Sequence, residues 1–197
     1  MPAPSHKDLI LASASPRRRE LLNQAGIIPS AIAPVEVDET PLASEKPGDY
    51  TRRLAAQKAT LVAKKNRGAL VLAADTAVAV GVRILGKPGD RAEAEKFLKL
   101  LSGRRHRVIT SIALAVPKRK LVLKTVTTSV SFKRLTAGEI NWYLECGEWQ
   151  GKAGGYAIQG KAGAFVKRIN GSYTNVVGLP LYETLAILRA HGYPVTD

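Results

Sequence analysis

The sequence has a single cysteine, Cys146, so no disulfide can form within its 197 residues. It also lacks any apolar run of about 18 residues, which argues against a membrane-spanning helix. Its first residues show neither the apolar stretch nor the cleavage site of a secretory signal. These absences predict a cytoplasmic protein with no membrane partner.

Acidic side chains are scarce, because 16 Asp and Glu residues accompany 30 Lys and Arg residues and leave a formal net charge of +14. This balance favours polyanionic partners, namely nucleic acid, membrane lipid or phosphorylated substrates, or it reflects a solvated basic surface. Aromatic residues make up only 6% and do not alternate with the basic clusters. A stacking platform for nucleic acid is therefore poorly supported, although the charge alone does not exclude a nucleic-acid partner.

The common signatures of nucleotide binding and hydrolysis are missing as well. The glycine-rich stretch 147–163 matches neither the P-loop spacing nor the GxGxxG pattern that opens a helix after a strand. His6, His106 and His191 are scattered along the chain. Neither a zinc site nor a Ser-His-Asp triad is therefore expected.

The hydrophobic pattern predicts an α/β protein with a mixed β-sheet and a single domain over residues 1–197. The predicted strands cover 9–12, 70–80, 108–116, 121–132 and 164–169, and the predicted helices cover 15–26, 49–67, 90–101, 136–147 and 180–190. Ser15 is expected to cap the first helix. Capping boxes are expected at the start of the third and fourth helices, where Glu follows Asp90 and Thr136 by three residues.

The segment 13–18, Ser-Ala-Ser-Pro-Arg-Arg, joins the first strand to the first helix. A helix N-terminus offers free backbone N–H groups and the positive end of a dipole, so it attracts phosphate. Arg17 and Arg18 fit that dipole badly unless an anion binds beside them. A capped helix with exposed arginines explains the pattern equally well.

Asp75 is the only charged residue in the apolar run 70–80. A buried carboxylate is unfavourable without a partner. A catalytic base or a metal ligand at the C-terminal end of this strand would explain it, and so would a structural carboxylate bonded to backbone N–H groups. Glu36, Asp38 and Glu39 form an acidic loop that suits either a divalent cation or solvent.

Two further segments favour ligand binding. Lys87 lies between Gly86 and Pro88 on a short, stiff turn, which suits either a fixed phosphate contact or an exposed turn lysine. The glycines around Lys152 and Gln159 allow the backbone to approach a ligand closely.

Six short motifs follow one another along most of the chain. They are LILASASPRR (9–18), ADT (74–76), GKP (86–88), LSGRRH (101–106), AGGYAIQG (153–160) and GSYTNVVGLP (171–180). In sequence and order they resemble the Maf family of nucleotide pyrophosphatases. The resemblance implies a mixed β-sheet flanked by helices, as in the inosine triphosphate pyrophosphatases, and a homodimer.

The resemblance also implies the reaction. Water would attack the α-phosphorus of a nucleoside triphosphate and release pyrophosphate, with a divalent cation such as Mg²⁺ or Mn²⁺. Asp75 corresponds to the family's proton acceptor, and Asp38 or Glu39 would join it as metal ligands. The Ile158-Gln159-Gly160 motif is similar to that of the dTTP/UTP subgroup.

The substrate-binding residues that the resemblance implies are Ser13, Arg17, Arg18, Lys58, Thr76, Lys87 and Gln159. Among them, Arg17, Thr76 and Gln159 correspond to positions tied to base selection. Two other hypotheses stay open at this point. One is a nucleic-acid-binding or cell-division (septum) regulatory protein that uses its basic surface, and the other is a phosphatase that removes single phosphates.

Overall fold

A computed structural model of the chain describes residues 8–195. These residues form one seven-stranded mixed sheet flanked by helices, so the predicted fold class is confirmed. Residues 1–7, on which the prediction of no secretory signal rests, lie outside the described residues, as do residues 196–197. No helix within residues 8–195 is long and apolar enough to cross a membrane.

The elements alternate along the chain as expected for an α/β protein. The strands are β1 (Leu9–Leu11), β2 (Ala31–Ile32), β3 (Leu70–Val80), β4 (Arg83–Leu85), β5 (Arg105–Ala115), β6 (Val122–Phe132) and β7 (Val166–Asn170). The α-helices are α1 (Pro16–Gln24), α2 (Pro47–Lys65), α3 (Arg91–Leu101), α4 (Ala137–Glu145), α5 (Tyr173–Val177) and α6 (Leu181–Ala190). Two short 3-10 helices lie at Ala153–Gly155 and Lys161–Phe165.

The sheet has a gap on one edge of its central strand. The strand order is β2-β1-β3-β5-β6-β7, and β4 also pairs with β3. β1 pairs with β3 at 70–72 and β4 pairs with it at 78–80, whereas β5 lines β3 from 71 to 79. Because β5 occupies one edge, β1 and β4 share the other and leave residues 73–77 without a strand neighbour there.

Asp75 lies in the middle of the 11-residue strand β3, so the expected position at the C-terminal end of the strand is wrong. The short strand β1 ends opposite Leu72, and Asp75 lies just beyond that end. The opening beside Asp75 is therefore created by the end of the neighbouring strand β1.

Of the two capping boxes that the sequence predicts, one forms completely and the other only in half. Thr136 and Glu139 form both bonds of the box at α4. At α3 the Asp90 carboxylate accepts the Glu93 N–H at 2.7 Å, but the Glu93 carboxylate bonds to the Gly89 N–H instead of that of Asp90. Only half of the predicted box therefore forms at α3.

Several short elements were not predicted. The strands β2 and β4 and the helix α5 contain two, three and five residues, too few for a hydrophobic period to identify. Helix α2 begins two residues before its predicted start because Pro47 suits the first helical position. Strand β7 begins at Val166 because the residues before it belong to a 3-10 helix.

Candidate active site

An open cavity of about 760 Å³ lies at the gap in the sheet. Such a volume lies within the usual range for small-molecule sites. The predicted site residues that line it are Ser13, Arg17, Arg18, Glu39, Lys58, Asp75, Thr76, Lys87 and Gln159. Asp38 does not line this cavity; it is exposed, and its carboxylate accepts the Thr40 N–H at 2.9 Å.

The gap brings neighbouring side chains from both faces of the sheet to one cavity. Alternation along β3 sends Asp75 and Thr76 to opposite faces. Asp75 lies on the α2 face with Ala73 and Ala77, which belong to clusters that include α2 residues. Thr76 lies on the other face, where its hydroxyl contacts Arg18 of α1.

Asp75 is 7% exposed and is paired with a lysine of α2. The Lys58 Nζ donates to Asp75 Oδ1 at 2.6 Å, and Lys58 is itself only 9% exposed. Burial raises the pKa of Asp75, and the charges of Lys58 and Arg18 oppose that rise without cancelling it. The carboxylate is therefore a stronger proton acceptor than an ordinary aspartate.

A chain of alternating charges crosses the cavity from Asp75. The same Lys58 Nζ donates to Glu39 Oε1 at 2.9 Å, and the Lys87 Nζ donates to Glu39 Oε2 at 2.9 Å. Partial burial tends to raise the pKa of Glu39, but the two lysines outweigh it and lower that pKa to about 2. Glu39 is therefore ionised near neutral pH and holds both lysines in the cavity.

Arg18 is fixed by three acceptors. Its Nε donates to the Gly178 carbonyl at 2.9 Å, its Nη1 to Ser13 Oγ at 2.9 Å and its Nη2 to Thr76 Oγ1 at 3.2 Å. Burial lowers the pKa of Arg18, opposed by the charge of Asp75, yet an arginine remains cationic near neutral pH. The guanidinium is thus a preorganised positive charge on the cavity wall.

The loop before α1 differs in detail from the prediction. Ser15 is the N-cap residue of α1, but its side chain makes no capping bond. Instead its N–H donates to Ser13 Oγ at 3.2 Å. Since that oxygen also accepts from Arg18, Ser13 links the loop to the guanidinium.

The match to a known family covers almost the whole described chain. The sequence model of the Maf-like proteins matches residues 8–191. The chain belongs to the Maf family. A Rhodospirillum rubrum protein named dTTP/UTP pyrophosphatase is 56% identical over 185 residues, which cover 94% of this chain and 88% of that protein. A Rhizobium etli protein of the same name is 56% identical over 193 residues, covering 95% of this chain and 94% of that protein.

The family resemblance that the six motifs predict is therefore confirmed. Among solved structures, the Ham1 protein of Staphylococcus aureus aligns with a TM-score of 0.45 at 19% identity, over 64% of this chain and 72% of that chain. A HAM1 protein of Coxiella burnetii gives the same TM-score and identity over 66% of this chain and 74% of that chain.

Several residues that line the cavity of this Maf-family chain were missing from the predicted set, Lys152 and Tyr50 among them. Lys152 lines the cavity, and burial together with the charge of Arg17 lowers its pKa. The glycines around Lys152 favour ligand binding, but they do not predict a role for the lysine itself. Tyr50 donates to the Glu39 carbonyl oxygen at 2.9 Å, and its pKa is raised to about 12 by burial and by the nearby carboxylates. An aromatic residue on the apolar face of a helix normally indicates core packing, so the sequence did not identify Tyr50 as a cavity residue.

The glycine-rich segment approaches the Lys87 turn closely. The Gly154 N–H donates to the Gly86 carbonyl at 2.9 Å, and Gly154 has a φ of +68°. A Cβ at Gly154 would lie 2.8 Å from Val78 side-chain atoms. Glycine is therefore required here for contact between the two walls.

Within residues 8–195, no group of three or more His, Cys, Asp or Glu side chains is arranged to hold a metal ion. Two carboxylates do converge, because Asp75 and Glu39 both accept from the Lys58 Nζ. Mg²⁺ is commonly bound by one or two carboxylates together with substrate phosphates. The donor set fits that kind of site and does not fit a cage built from protein ligands alone.

Proposed function

We propose that this protein hydrolyses nucleoside triphosphates, preferably dTTP and UTP, to the monophosphate and pyrophosphate. The observation that carries the proposal is the buried Asp75, whose pKa is raised although Lys58 and Arg18 lie beside it. The cavity around it is large enough for a nucleotide. The names of the relatives support the same substrates and favour this hypothesis over a nucleic-acid-binding or septum-regulating role.

Asp75 accepts the proton of the attacking water in this proposal. Its Oδ1 is held by Lys58, and its Oδ2 makes no hydrogen bond with any residue in 8–195. Lys58 thus orients the carboxylate while the second oxygen remains available to water. A positioned general base of this kind typically contributes about 10²- to 10⁴-fold in rate.

The basic side chains stabilise the triphosphate and the pyrophosphate that leaves it. Arg18 is fixed in place, and Lys58, Lys87 and Lys152 also line the cavity. Negative charge that develops on the leaving group is stabilised by such preorganised cations. Lys58 and Lys87 are bound to Glu39, so the triphosphate would compete with that carboxylate for both lysines.

The proposal assigns base selection to Arg17, Thr76 and Gln159, which line the same cavity. Thr76 is fixed by Arg18 and by the Thr110 hydroxyl, at 3.2 and 2.9 Å. Gln159 is exposed and offers an amide donor and an acceptor. These groups suit the polar edge of a pyrimidine.

A divalent cation, Mg²⁺ or Mn²⁺, belongs to the proposal, with Asp75 and Glu39 as its protein ligands. When bound, such a cation supplies positive charge to the phosphates and favours deprotonation of water. Asp38 is the weaker candidate because its carboxylate is bonded to the Thr40 N–H outside the cavity. The homodimer, the cytoplasmic location and the single domain over 1–197 stay predictions.

The test is a nucleotide panel read for both pyrophosphate and phosphate. Purified protein is incubated with dTTP, UTP, CTP, dATP and GTP, each with Mg²⁺, with Mn²⁺ or with a chelator. We expect pyrophosphate and monophosphate from dTTP and UTP in the presence of metal. Free phosphate as the first product would instead identify a phosphatase that removes single phosphates.

A further inference from the structure

The cavity wall that carries Gln159 has little regular structure of its own. Residues 156–159 lie between the two short 3-10 helices, and all four line the cavity. Tyr156, Ala157 and Ile158 are buried, whereas Gln159 is exposed. The position of the Gln159 amide therefore depends on contacts that hold this segment from behind.

One such contact is a buried pair of a histidine and a tyrosine. The imidazole Nε2 of His106, in β5, lies 2.8 Å from the Tyr156 hydroxyl. The two residues are only 2% and 6% exposed. Both rings also meet Phe132 edge-to-face, with ring centroids 5.0 and 4.9 Å away. The tyrosine that begins the segment is thus anchored in the core of the sheet.

The protonation and hydrogen bonding of His106 indicate a role other than filling space in the core. Burial lowers the pKa of His106 to about 4 and raises that of Tyr156, so both are neutral near neutral pH. The imidazole Nδ1 is buried and has no hydrogen-bond partner within residues 8–195. An apolar residue would avoid the unpaired Nδ1 but would leave the buried Tyr156 hydroxyl without its hydrogen-bond partner. Among the described residues, the bond to Tyr156 is the only polar interaction that favours an imidazole here.

We propose that His106 is a positioning residue for nucleobase selection, which acts through Tyr156 on the segment that presents Gln159. The proposal rests on the proposed function, in which Gln159 contacts the base. A second anchor keeps the segment attached to the fold when the first is lost, because the Ala157 N–H donates to the Tyr143 hydroxyl at 3.0 Å. Loss of the His106 bond should therefore loosen the segment without unfolding the protein.

The separation from the reacting groups makes the role measurable. No hydrogen bond within residues 8–195 joins Tyr156 or Gln159 to Asp75 or Lys58. A change at the pair should therefore alter KM and base preference while kcat stays nearly constant. A purely structural role would lower the amount of folded protein and leave the KM and the preference of the remaining folded molecules unchanged.

The experiment compares steady-state kinetics of Tyr156→Phe, His106→Leu and His106→Gln with dTTP, UTP and CTP. For Tyr156→Phe and His106→Leu we expect KM for dTTP to rise about three- to tenfold, as for loss of one buried hydrogen bond. The preference for dTTP over CTP should fall, with kcat within about twofold of the original. The side-chain amide of His106→Gln can donate or accept in place of Nε2 and should restore part of the loss. The double variant with Tyr156→Phe and His106→Leu should raise KM no more than the single variant with the larger effect, because both changes remove the same bond.

Thr184→Val serves as the matched control, because it removes a buried hydroxyl that donates to the Pro180 carbonyl in α6, outside the segment. It should lower stability without altering base preference. Unchanged KM and preference in Tyr156→Phe would overturn the proposal, even if His106→Leu fails to fold. If the unmodified protein releases no pyrophosphate from dTTP, the proposed function fails instead, so the two failures are distinguishable.

Discussion

At the scale of single residues, Glu39 holds two of the lysines that line the cavity. Its two carboxylate oxygens bind Lys58 and Lys87, and its pKa of about 2 keeps the side chain ionised near neutral pH. Its carboxylate is partly exposed, so these ion pairs contribute little to stability. The effect of Glu39 should therefore appear in metal and substrate binding.

Replacing Glu39 by Gln should raise the Mg²⁺ concentration needed for half-maximal rate. Loss of about 1.4 kcal/mol from one charged ligand corresponds to about tenfold. Asp38→Asn is the matched control, since it neutralises a carboxylate of the same loop that lies outside the cavity. Metal titrations of pyrophosphate release distinguish the two, and a larger effect at Asp38 would reverse the assignment of the acidic ligand.

The sequence identified Asp75 because a lone charge in an apolar run is conspicuous. It could not identify Lys58 as its partner, since that contact depends on how α2 packs across β3. The hydrophobic pattern of the α2 sequence predicts only an amphipathic helix with one lysine near its apolar face. Lys58 was predicted only through the family resemblance, and Tyr50, on the same helix, was not predicted at all.

At the scale of elements, the bounds of β3 match the prediction because a buried strand reads as one apolar run. The gap beside β3 was not predictable, since it requires both β1 and β4 to be short and to share an edge. Strand pairing depends on residues far apart in the sequence, so the hydrophobic periodicity within one segment does not predict it. The site therefore depends on two strand lengths that the sequence pattern left undetermined.

The contact between the glycine-rich segment and β3 gives a prediction at this scale. Gly154→Ala should lower the free energy of unfolding by about 1–3 kcal/mol, because the new methyl group would collide with Val78. Gly151→Ala is the control, as Gly151 has a similar φ of +65° but no atom within 4 Å of an added Cβ. Urea denaturation of both variants should show the larger loss for Gly154→Ala, and equal losses would mean that only the backbone φ matters.

At the scale of the whole molecule, the positive charge is unevenly distributed. Residues 104–134, which span β5 and β6, contain nine Lys and Arg residues and no acidic residue. This hairpin therefore contributes most of the net charge of +14. A positive field of this kind attracts anionic nucleotides and weakens as salt is added.

The acid stability of the whole molecule should depend on His106. In the unfolded chain it binds a proton below about pH 6.5, whereas in the folded chain its pKa of about 4 keeps it neutral. The free energy of unfolding should therefore fall as the pH decreases from about 6.5 to about 4, by a total on the order of 3 kcal/mol. Urea denaturation of the unmodified protein and of His106→Gln at several pH values measures this contribution. Parallel pH profiles for the two proteins would contradict it.

The most direct test of the account is pyrophosphate release from dTTP by Asp75→Asn. Asparagine keeps the size of the side chain and an oxygen for Lys58, but it cannot accept a proton from water. We predict a folded variant, with an unchanged circular dichroism spectrum, whose rate is about 10²- to 10⁴-fold lower. A folded variant that released pyrophosphate at the original rate would contradict the assignment of Asp75 as the catalytic base.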